Sequence, residues 1–352
     1  MDIKKKLKIG ILTFHDGINH GAYLQCYALY KTLDNLGHNV EIINYKNFHH
    51  WWKEYKCFLW TKNPVLLFAN IKKILKFKKA QKKIPKTAFT FSHERVKKEK
   101  FDVVVIGSDI IWNYENPFFG FDPIYFGYFL NAKKIISYAG SFGSVDCNNA
   151  IPYQIIKGFK KYSNISVRDD NSLKILKKIT YKPVKLVLDP TFLYDYTKEE
   201  KVCNYKDFVL IYGYQNNSEQ IRQIKDFAKK KNLNTIAIAY NQPWCDYSIV
   251  AVSPFEWLGY FKKAKYVVTS TFHGTVFSIK YNKKFITLPN IPINNKLSYI
   301  LKITGLKNRI LQKQNNIENL LESDINYKIV NKIISKNIFK SIQYLKEALN
   351  DY

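Results

Sequence analysis

The stretch "LKIGILTFHDGINHGAYLQCYALYKTLDNLGHNVEIINY", residues 7–45, decides the fold. It opens with a continuous apolar run of strand length, which is typical of a strand buried on both faces of a parallel sheet. After a polar turn, apolar residues recur at helical spacing until Gly37 ends the helix. Residues 40–45 form a second short apolar run. The order strand, helix, strand predicts one right-handed βαβ crossover.

Further short apolar runs repeat this pattern along the chain in two series, and most of them end in Gly, Ser, Asp or Pro. The first series lies at residues 101–109, 133–143, 164–172 and 184–190, and the second at 207–214, 234–240, 264–274 and 284–290, with a helix over 218–231. We therefore predict an α/β protein with two doubly wound domains. The join falls in the polar stretch 194–206, which divides the chain into an N-terminal domain over residues 1–200 and a C-terminal domain over 201–352 that includes the terminal helices.

Length and composition agree with a large globular protein. A chain of 352 residues suits two domains of roughly 150 residues each. A hydrophobic share of 46% with 26 Tyr and 24 Phe is inconsistent with disorder. We find no apolar run of about 20 residues and no signal-peptide core after Met1, so we expect a cytoplasmic protein. The five cysteines show no CxxC or Cys/His spacing, which argues against a disulfide framework and a zinc site.

The chain is strongly basic, with 56 Lys and Arg against 28 Asp and Glu and a net charge of +28. Such a field favours anionic partners, namely nucleic acid, an anionic membrane face or phosphorylated substrates. Richness in Lys over Arg and in Asn, Ile, Tyr and Phe also fits an AT-biased genome. A nucleic-acid-binding role rests on the charge alone, and we expect no nucleic-acid partner.

Residues 48–100 interrupt the strand and helix rhythm of the first domain. The piece "NIKKILKFKKAQKKIPK", residues 70–86, predicts a basic, partly amphipathic helix, and "HHWWKEYKCFLW", residues 49–60, adds aromatic side chains beside it. One interpretation is a peripheral contact with an anionic membrane surface, where lysines and interfacial tryptophans act together. The other is an inserted helical hairpin whose lysine face is simply solvated.

The stretch "VVTSTFHGTVFS", residues 267–278, leads from a buried strand through a Ser/Thr turn into a helix. The first backbone N–H groups of a helix lack partners within it, so this turn predicts an anion site. Ligands of open α/β sheets bind outside the carboxyl ends of the strands, and polar residues there carry most weight. The candidates at these ends are Asp16, Asn19, Gly21, Gly107, Ser108, Asp109, Ser141, Arg168, Asp169, Asp189, Ser270, Thr271, His273, Gly274 and Thr275.

Each of the main candidates also has a structural interpretation. Asp109 would cap a following helix, Asp189 with Pro190 would form a turn, and His273 would be a satisfied histidine in the first turn of a helix. No GxGxxG, GxxxxGK[ST], GxSxG or HExxH motif is present. The sequence therefore gives little support to nicotinamide or Walker-type nucleotide sites and to hydrolase or metalloprotease chemistry.

An ordered set of six motifs resembles the polysaccharide pyruvyl transferase family. The first is the stretch from Ile9 to Tyr45. The others are "VVIGSDIIWN" (104–113), "ISYAGSFG" (136–143), "ISVRDDNS" (165–172), "LVLDPTFL" (186–193) and "TSTFHGTVFSIKYNKKFI" (269–286). The resemblance implies two Rossmann-like domains facing across a cleft, in a glycosyltransferase-B-like fold. It also implies transfer of a pyruvyl group from phosphoenolpyruvate to a pair of hydroxyls on a sugar, in a glycan or a lipid-linked glycan precursor, as a pyruvate ketal.

The same resemblance suggests roles for three residues. Arg168 would clamp phosphoenolpyruvate, and His273 would donate to the phosphate or act as the acid. Asp109 would take protons from the sugar hydroxyls, with Asp16 and Asp169 as alternatives. No metal and no cofactor are expected beyond phosphoenolpyruvate as the donor. Alanine at His273 or at Arg168 is expected to abolish turnover with the fold intact. The alternative is a glycosyltransferase-B-type enzyme that uses a nucleotide sugar.

Overall fold

The computed structural model describes residues 6–214, 217–289, 291–312 and 315–350, with the backbone alone for 291–295. Contacts divide the chain into two compact units. Unit 1 takes the described residues of 1–56, 81–194 and 334–352, and unit 2 takes those of 57–80 and 195–333. The helices and strands follow in this order: β1 (Lys8–Leu12), α1 (His20–Asn35), β2 (Asn39–Ile42), α2 (Phe48–Leu59), α3 (Pro64–Gln81), α4 (His93–Val96), β3 (Lys100–Ile106), β4 (Asn131–Ser137), α5 (Tyr153–Phe159), β5 (Ile165–Val167), α6 (Asp170–Ile179), β6 (Val184–Leu186), β7 (Phe208–Tyr212), α7 (Ser218–Lys230), β8 (Asn234–Ile238), β9 (Tyr247–Ile249), α8 (Pro254–Lys263), β10 (Tyr266–Thr269), α9 (Phe272–Lys280), β11 (Lys284–Thr287), α10 (Ile291–Thr304), α11 (Ile317–Glu322) and α12 (Tyr327–Asn350).

Unit 1 is built on a parallel sheet with the strand order β2-β1-β3-β4. In its centre Ile9 of β1 lies beside Val40 of β2 and Val103 of β3. Strands β5 and β6 form a separate parallel pair, and single bridges join Gly140 to both Asp109 and Val167. The strand order reverses between β1 and β3, which makes the carboxyl ends of these two strands the topological switch point of the unit.

Unit 2 contains a second parallel sheet, with the order β11-β10-β7-β8-β9. Val268 of β10 pairs with Ile211 of β7 on one side and with Ile286 of β11 on the other. All three side chains are buried in an apolar core, as expected for a sheet covered on both faces. The strands that follow β7 in sequence, β8 and β9, lie on one side of it, whereas β10 and β11 lie on the other. The switch point therefore lies between the carboxyl ends of β7 and β10. The prediction of an α/β fold with Rossmann-like parallel sheets is confirmed.

The first crossover shows why these residues form these elements. Asn19 is the N-cap of α1 and accepts a hydrogen bond from the Ala22 N–H at 3.1 Å. Gly37 follows the C-cap with a φ of 93°, a left-handed conformation that favours glycine. Gly21 was expected in the preceding turn but lies inside α1, where it is buried. The strands are shorter than the apolar runs that predicted them, because the ends of those runs form the loops at the switch points.

Two segments depart from the expected division of the chain. Residues 57–80, which were assigned to the N-terminal domain, pack in unit 2. Residues 334–352, which were assigned to the C-terminal domain, have their described part in unit 1. There the Ser341 hydroxyl accepts from the Leu188 N–H at 3.0 Å, and the Tyr344 hydroxyl donates to the Ser137 carbonyl at 2.8 Å. In the described part of the chain, no helix has the length and apolar character that crossing a membrane requires.

Candidate functional site

The switch point of unit 1 is held by buried hydrogen bonds between the loops after β1 and β3. The Thr13 hydroxyl donates to the Ser108 carbonyl at 2.8 Å. The Ser108 hydroxyl donates to Oε1 of Gln25 at 2.6 Å, and the side-chain amide of Gln25 donates to the Ala22 carbonyl at 2.8 Å. Ser108 therefore fixes the loop that leads to Asp109, and it does so from a fully buried position.

Asp109, Arg168 and Asp189 meet at the carboxyl ends of β3, β5 and β6. One terminal nitrogen of Arg168 donates to Oδ1 of Asp109 at 2.8 Å, and the other donates to Oδ2 of Asp189 at 2.6 Å. Burial would lower the pKa of Arg168, but the two carboxylates outweigh it and raise the pKa. The side chains of Arg168 and Asp189 are 1% and 2% exposed, whereas that of Asp109 is 13% exposed. Asp109 is thus the member of this ion-pair group that solvent reaches.

The backbone around Asp109 is in an uncommon conformation. Asp109 has a φ of 81°, and Gly107 has a φ of 119°. A Cβ at Gly107 would lie 2.3 Å from the Tyr138 carbonyl oxygen, so only glycine fits there. The Asp109 carbonyl accepts from the Ser141 N–H at 3.0 Å, which fixes the strained loop beside the loop after β4. Strained backbone of this kind concentrates at functional sites.

Asp169 and Ser141 have mainly structural contacts. Asp169 is the N-cap of α6 and accepts from the Ser172 N–H at 2.7 Å. Burial raises the pKa of Asp169, although hydrogen bonds from Ser141 and Ser172 oppose the shift. The Ser141 hydroxyl also accepts from the Gly143 N–H at 3.0 Å. These contacts favour a supporting role for both residues beneath the Asp109 loop.

Asp16 lies in a different group of charges at the ends of β1 and β2. The Lys46 ammonium bridges Asp16 and Glu54, at 3.0 Å from each carboxylate, and its side chain is 4% exposed. Burial would raise the pKa of Asp16, but His15 and Lys46 outweigh it and lower the pKa. The Glu54 carboxylate also accepts from the Ile18 N–H at 2.7 Å, which ties the loop after β1 to α2. Asp16 is therefore an ionised carboxylate bound to a buried lysine.

The switch point of unit 2 has the turn that the sequence predicted. β10 ends at Thr269, and Thr271 is the N-cap of α9, accepting from the Gly274 N–H at 2.9 Å. A Cβ at Gly274 would lie 2.0 Å from the Thr269 hydroxyl oxygen, so glycine is required for the close approach of helix and strand. His273 is the second residue of α9 and is 9% exposed. The positive end of the α9 dipole and the imidazole of His273 thus belong to the same helical turn.

Ser270 and Thr275 hold this turn in place. The Ser270 hydroxyl donates to the Tyr214 carbonyl at 3.0 Å, which joins the loops after β10 and β7. The Thr275 hydroxyl lies 2.7 Å from that of Thr287 at the end of β11. The structure therefore brings Ser270, Thr271, His273, Gly274 and Thr275 together on one scaffold, as the sequence indicated.

Lys280, in the last turn of α9, gives a stability prediction. Burial lowers its pKa to about 8, although Asp195 and Glu200 oppose the shift. Below pH 8 the folded protein carries a partly buried charge at Lys280. Between about pH 8 and the usual pKa of lysine, the unfolded chain binds one proton more than the folded protein, so the free energy of unfolding rises with pH. We expect Lys280→Met to raise the free energy of unfolding by about 2 kcal/mol at pH 7.

Urea unfolding of Lys280→Met and wild type from pH 7 to 10 measures this difference. It is expected to shrink as the pH rises above 8. A difference that stays constant across this range would contradict the assignment.

Sequence reasoning missed several partners of the candidate residues. Asp189 was recognised at the end of its strand but not as a ligand of the Arg168 guanidinium. Lys46 and Glu54 were not identified as candidates. A lysine directly after a buried strand could have indicated a residue at the ligand-binding end of the sheet. Gln25 lies on the buried face of α1, and only the fold shows that it reaches Ser108.

In the part of the chain that the structure describes, no three or more His, Cys, Asp and Glu side chains are grouped to hold a metal ion. Among the candidate residues, unit 1 offers a partly exposed carboxylate paired with a buried guanidinium, and unit 2 offers a histidine at a helix start.

Comparison with solved structures identifies several of the same fold. UGT89C1 of Arabidopsis thaliana, crystallised with UDP-L-rhamnose, is 10% identical with a TM-score of 0.53, over 97% of this chain and 98% of that chain. A UDP-GlcNAc 2-epimerase of Methanocaldococcus jannaschii is 15% identical with a TM-score of 0.52, and the match covers 99% of this chain and 100% of the epimerase. MnaA of S. aureus, in its structure with UDP, is 11% identical with a TM-score of 0.52, and the match covers 96% of this chain and 91% of MnaA. At these identities the similarity shows a glycosyltransferase-B-like fold and nothing of the substrate.

Comparison with protein families is more specific. No curated protein matches the chain. The family model described as polysaccharide pyruvyl transferase matches residues 19–292, a range that contains Asp109, Arg168 and His273. Since the match spans well over half of the sequence, this chain belongs to the polysaccharide pyruvyl transferase family.

Proposed function

We propose that this enzyme transfers the pyruvyl group of phosphoenolpyruvate to two hydroxyls of one sugar in a polysaccharide or lipid-linked precursor, as a cyclic ketal. The observation that carries the proposal is the family match over residues 19–292, which includes all three proposed functional side chains. The geometry of the two switch points supports it, because each presents the kind of group that the reaction needs.

The proposed reaction balances as a transfer without oxidation. A proton adds to the methylene carbon of phosphoenolpyruvate, and positive charge develops on the neighbouring carbon. One sugar hydroxyl adds to that carbon, the carbon–oxygen bond to phosphate breaks, and the second hydroxyl closes the ring. Of the two hydroxyl protons lost, one is matched by the new methyl hydrogen and the other leaves with inorganic phosphate.

Asp109 is the proposed base for the sugar hydroxyls. Its side chain is 13% exposed, and the Arg168 guanidinium at 2.8 Å stabilises its charged form. A carboxylate so placed accepts a hydroxyl proton and also stabilises positive charge on the reacting carbon. The loop that carries Asp109 is held by the hydrogen bonds of the Ser108 and Asp109 carbonyls to Thr13 and Ser141.

Arg168 is proposed to act through Asp109 as a positioning residue. Direct clamping of phosphoenolpyruvate was expected of it, but both terminal nitrogens face carboxylates and the side chain is 1% exposed. A guanidinium between two carboxylates carries no net positive charge to attract a third anion. The arrangement favours Arg168 as the group that keeps Asp109 ionised and correctly oriented.

The start of α9 is the proposed phosphate site. This nine-residue helix places the positive end of its dipole at its first turn, which also carries His273. His273 would donate a hydrogen bond to the phosphate and supply the proton that leaves with it. Ser270 and Thr271 hold the turn in the conformation that this contact requires.

Thermal unfolding in the presence of phosphoenolpyruvate, UDP, GDP or CMP tests the donor. Phosphoenolpyruvate at a hundredfold excess over its Kd is expected to stabilise the protein by about 3 kcal/mol. His273→Ala should lose most of this stabilisation while keeping the melting temperature of the free protein. His49→Ala is the matched control, because His49 is exposed on α2 and is not a residue of the proposed site.

Incubation with a set of hexosides then tests the reaction. Release of inorganic phosphate and a mass gain of one carboxyethylidene group on the sugar are expected with phosphoenolpyruvate. Consumption of a UDP- or GDP-sugar with no phosphoenolpyruvate-dependent product would refute the proposal in favour of an ordinary glycosyltransferase.

A further inference from the structure

Helix α3 of unit 2 has one face packed in the unit. On that face Ile74, Phe77 and Ala80 are buried. The Lys73 ammonium donates to the Ala239 carbonyl at 3.0 Å, and Lys76 forms an ion pair with Glu256 at 2.7 Å. These contacts fix the rotation of the helix, so the orientation of its other face is determined.

The outward face of α3 is also apolar. Val65, Phe68, Ile71 and Leu75 follow one another at helical spacing and are 77%, 70%, 41% and 61% exposed. Trp60, just before the helix, is 76% exposed. Single exposed apolar residues are normal, but four on one face of a helix, with an exposed tryptophan just before it, mark an interaction surface.

The chain segment that carries this stripe has charges of one sign. Between Tyr55 and His93 the chain contains ten lysines and no aspartate or glutamate. Lys62, Lys72 and Lys79 are among the exposed ones. A partner of this face must therefore offer an apolar phase together with negative charge at its boundary.

We propose that this docking face, formed by Trp60, Val65, Phe68, Ile71, Leu75, Lys62, Lys72 and Lys79, binds the surface of an anionic lipid bilayer. The apolar side chains would enter the boundary between headgroups and acyl chains, where tryptophan is favoured. The lysine ammoniums would reach the anionic headgroups while their stems follow the apolar surface.

Charge also argues against the main alternative occupant, a second copy of this chain. Pairing the docking face with itself would bring two lysine-rich surfaces of a protein with net charge +28 together. The proposal does not depend on the donor or acceptor of the reaction, because binding to lipid is measured without either.

Flotation of the full-length protein with vesicles tests the proposal. Wild type is expected to float with phosphatidylcholine vesicles that contain phosphatidylglycerol, and to stay behind with pure phosphatidylcholine. The double variant F68S/L75S should lower the partition coefficient at least about tenfold, because two exposed apolar side chains no longer leave water. K72Q/K79Q should lower it about tenfold or more and weaken its salt dependence.

The matched control is Phe339→Ser, since Phe339 is 71% exposed on α12 and lies outside the docking face. It should bind vesicles as wild type does, and circular dichroism verifies folding of every variant. Wild type that fails to float on anionic vesicles at low salt, or F68S/L75S that floats equally well, overturns the proposal. A wild-type dimer that F68S/L75S converts to a monomer in sedimentation would instead assign the face to a second copy.

Discussion

Asparagine at position 109 is expected to lower kcat about a thousandfold, because it removes the proposed base while it keeps the size of the side chain. The amide oxygen can still accept from the Ile110 N–H, as the Asp109 carboxylate does at 2.9 Å. Phosphoenolpyruvate-dependent release of phosphate measures kcat, and a KM that changes much less would place the loss in the chemical step.

Asp189→Asn is the matched control for this variant. Asp189 binds the same guanidinium but is 2% exposed, so it cannot reach a substrate without rearrangement. If Asp109 acts only by neutralising Arg168, the two variants will lose activity equally. A loss confined to Asp109→Asn supports the base, and full activity of Asp109→Asn would remove Asp109 from the mechanism.

Arg168→Ala is expected to destabilise the protein by about 3–5 kcal/mol as well as to abolish turnover. It leaves Asp189 buried without the guanidinium that lies 2.6 Å from it, and Asp109 loses its orienting partner. The sequence alone suggested that the fold would tolerate this change, whereas the burial of the pair predicts a loss of stability. Urea unfolding at neutral pH measures the difference in free energy.

Arg168→Lys separates stability from catalysis. Lysine restores a positive charge but not the two-pronged geometry that reaches both Asp109 and Asp189. We expect it to recover part of the stability while kcat stays well below that of wild type and the alkaline side of the pH profile changes. If Arg168→Lys regains full activity, charge alone is sufficient and the positioning role is wrong.

The sequence predicted the sheets well, because strands buried in a parallel sheet have uninterrupted apolar sequences. Every run that was recognised contains a strand, and the helix over 218–231 corresponds to α7 at Ser218–Lys230. β9 at Tyr247–Ile249 was missed, since two of its three residues are exposed and it lies at the edge of the sheet.

Side-chain partners were harder to predict than positions. The strand ends identified Asp109, Arg168 and Asp189 separately, but which carboxylate meets the guanidinium depends on sheet order and on the loop conformation at Gly107. The outward face of α3 was read as either a solvated lysine surface or a membrane contact. Because Ile74 and Phe77 are buried, the opposite face of α3 is the one exposed to solvent. The spacing of apolar residues alone could not identify the exposed face, because α3 is apolar on two sides.

The path of the chain through unit 1 has a consequence for its biosynthesis. This unit uses three separate pieces of chain, and the last one supplies the Ser341 and Tyr344 hydrogen bonds and the fully buried Leu345. A ribosome delivers residues 195–333 before that piece, so unit 2 has most of its sequence available while unit 1 still lacks part of its core. We therefore expect that, in nascent chains released before residue 334, unit 1 is incompletely folded and sensitive to proteases. Such chains would need protection by chaperones.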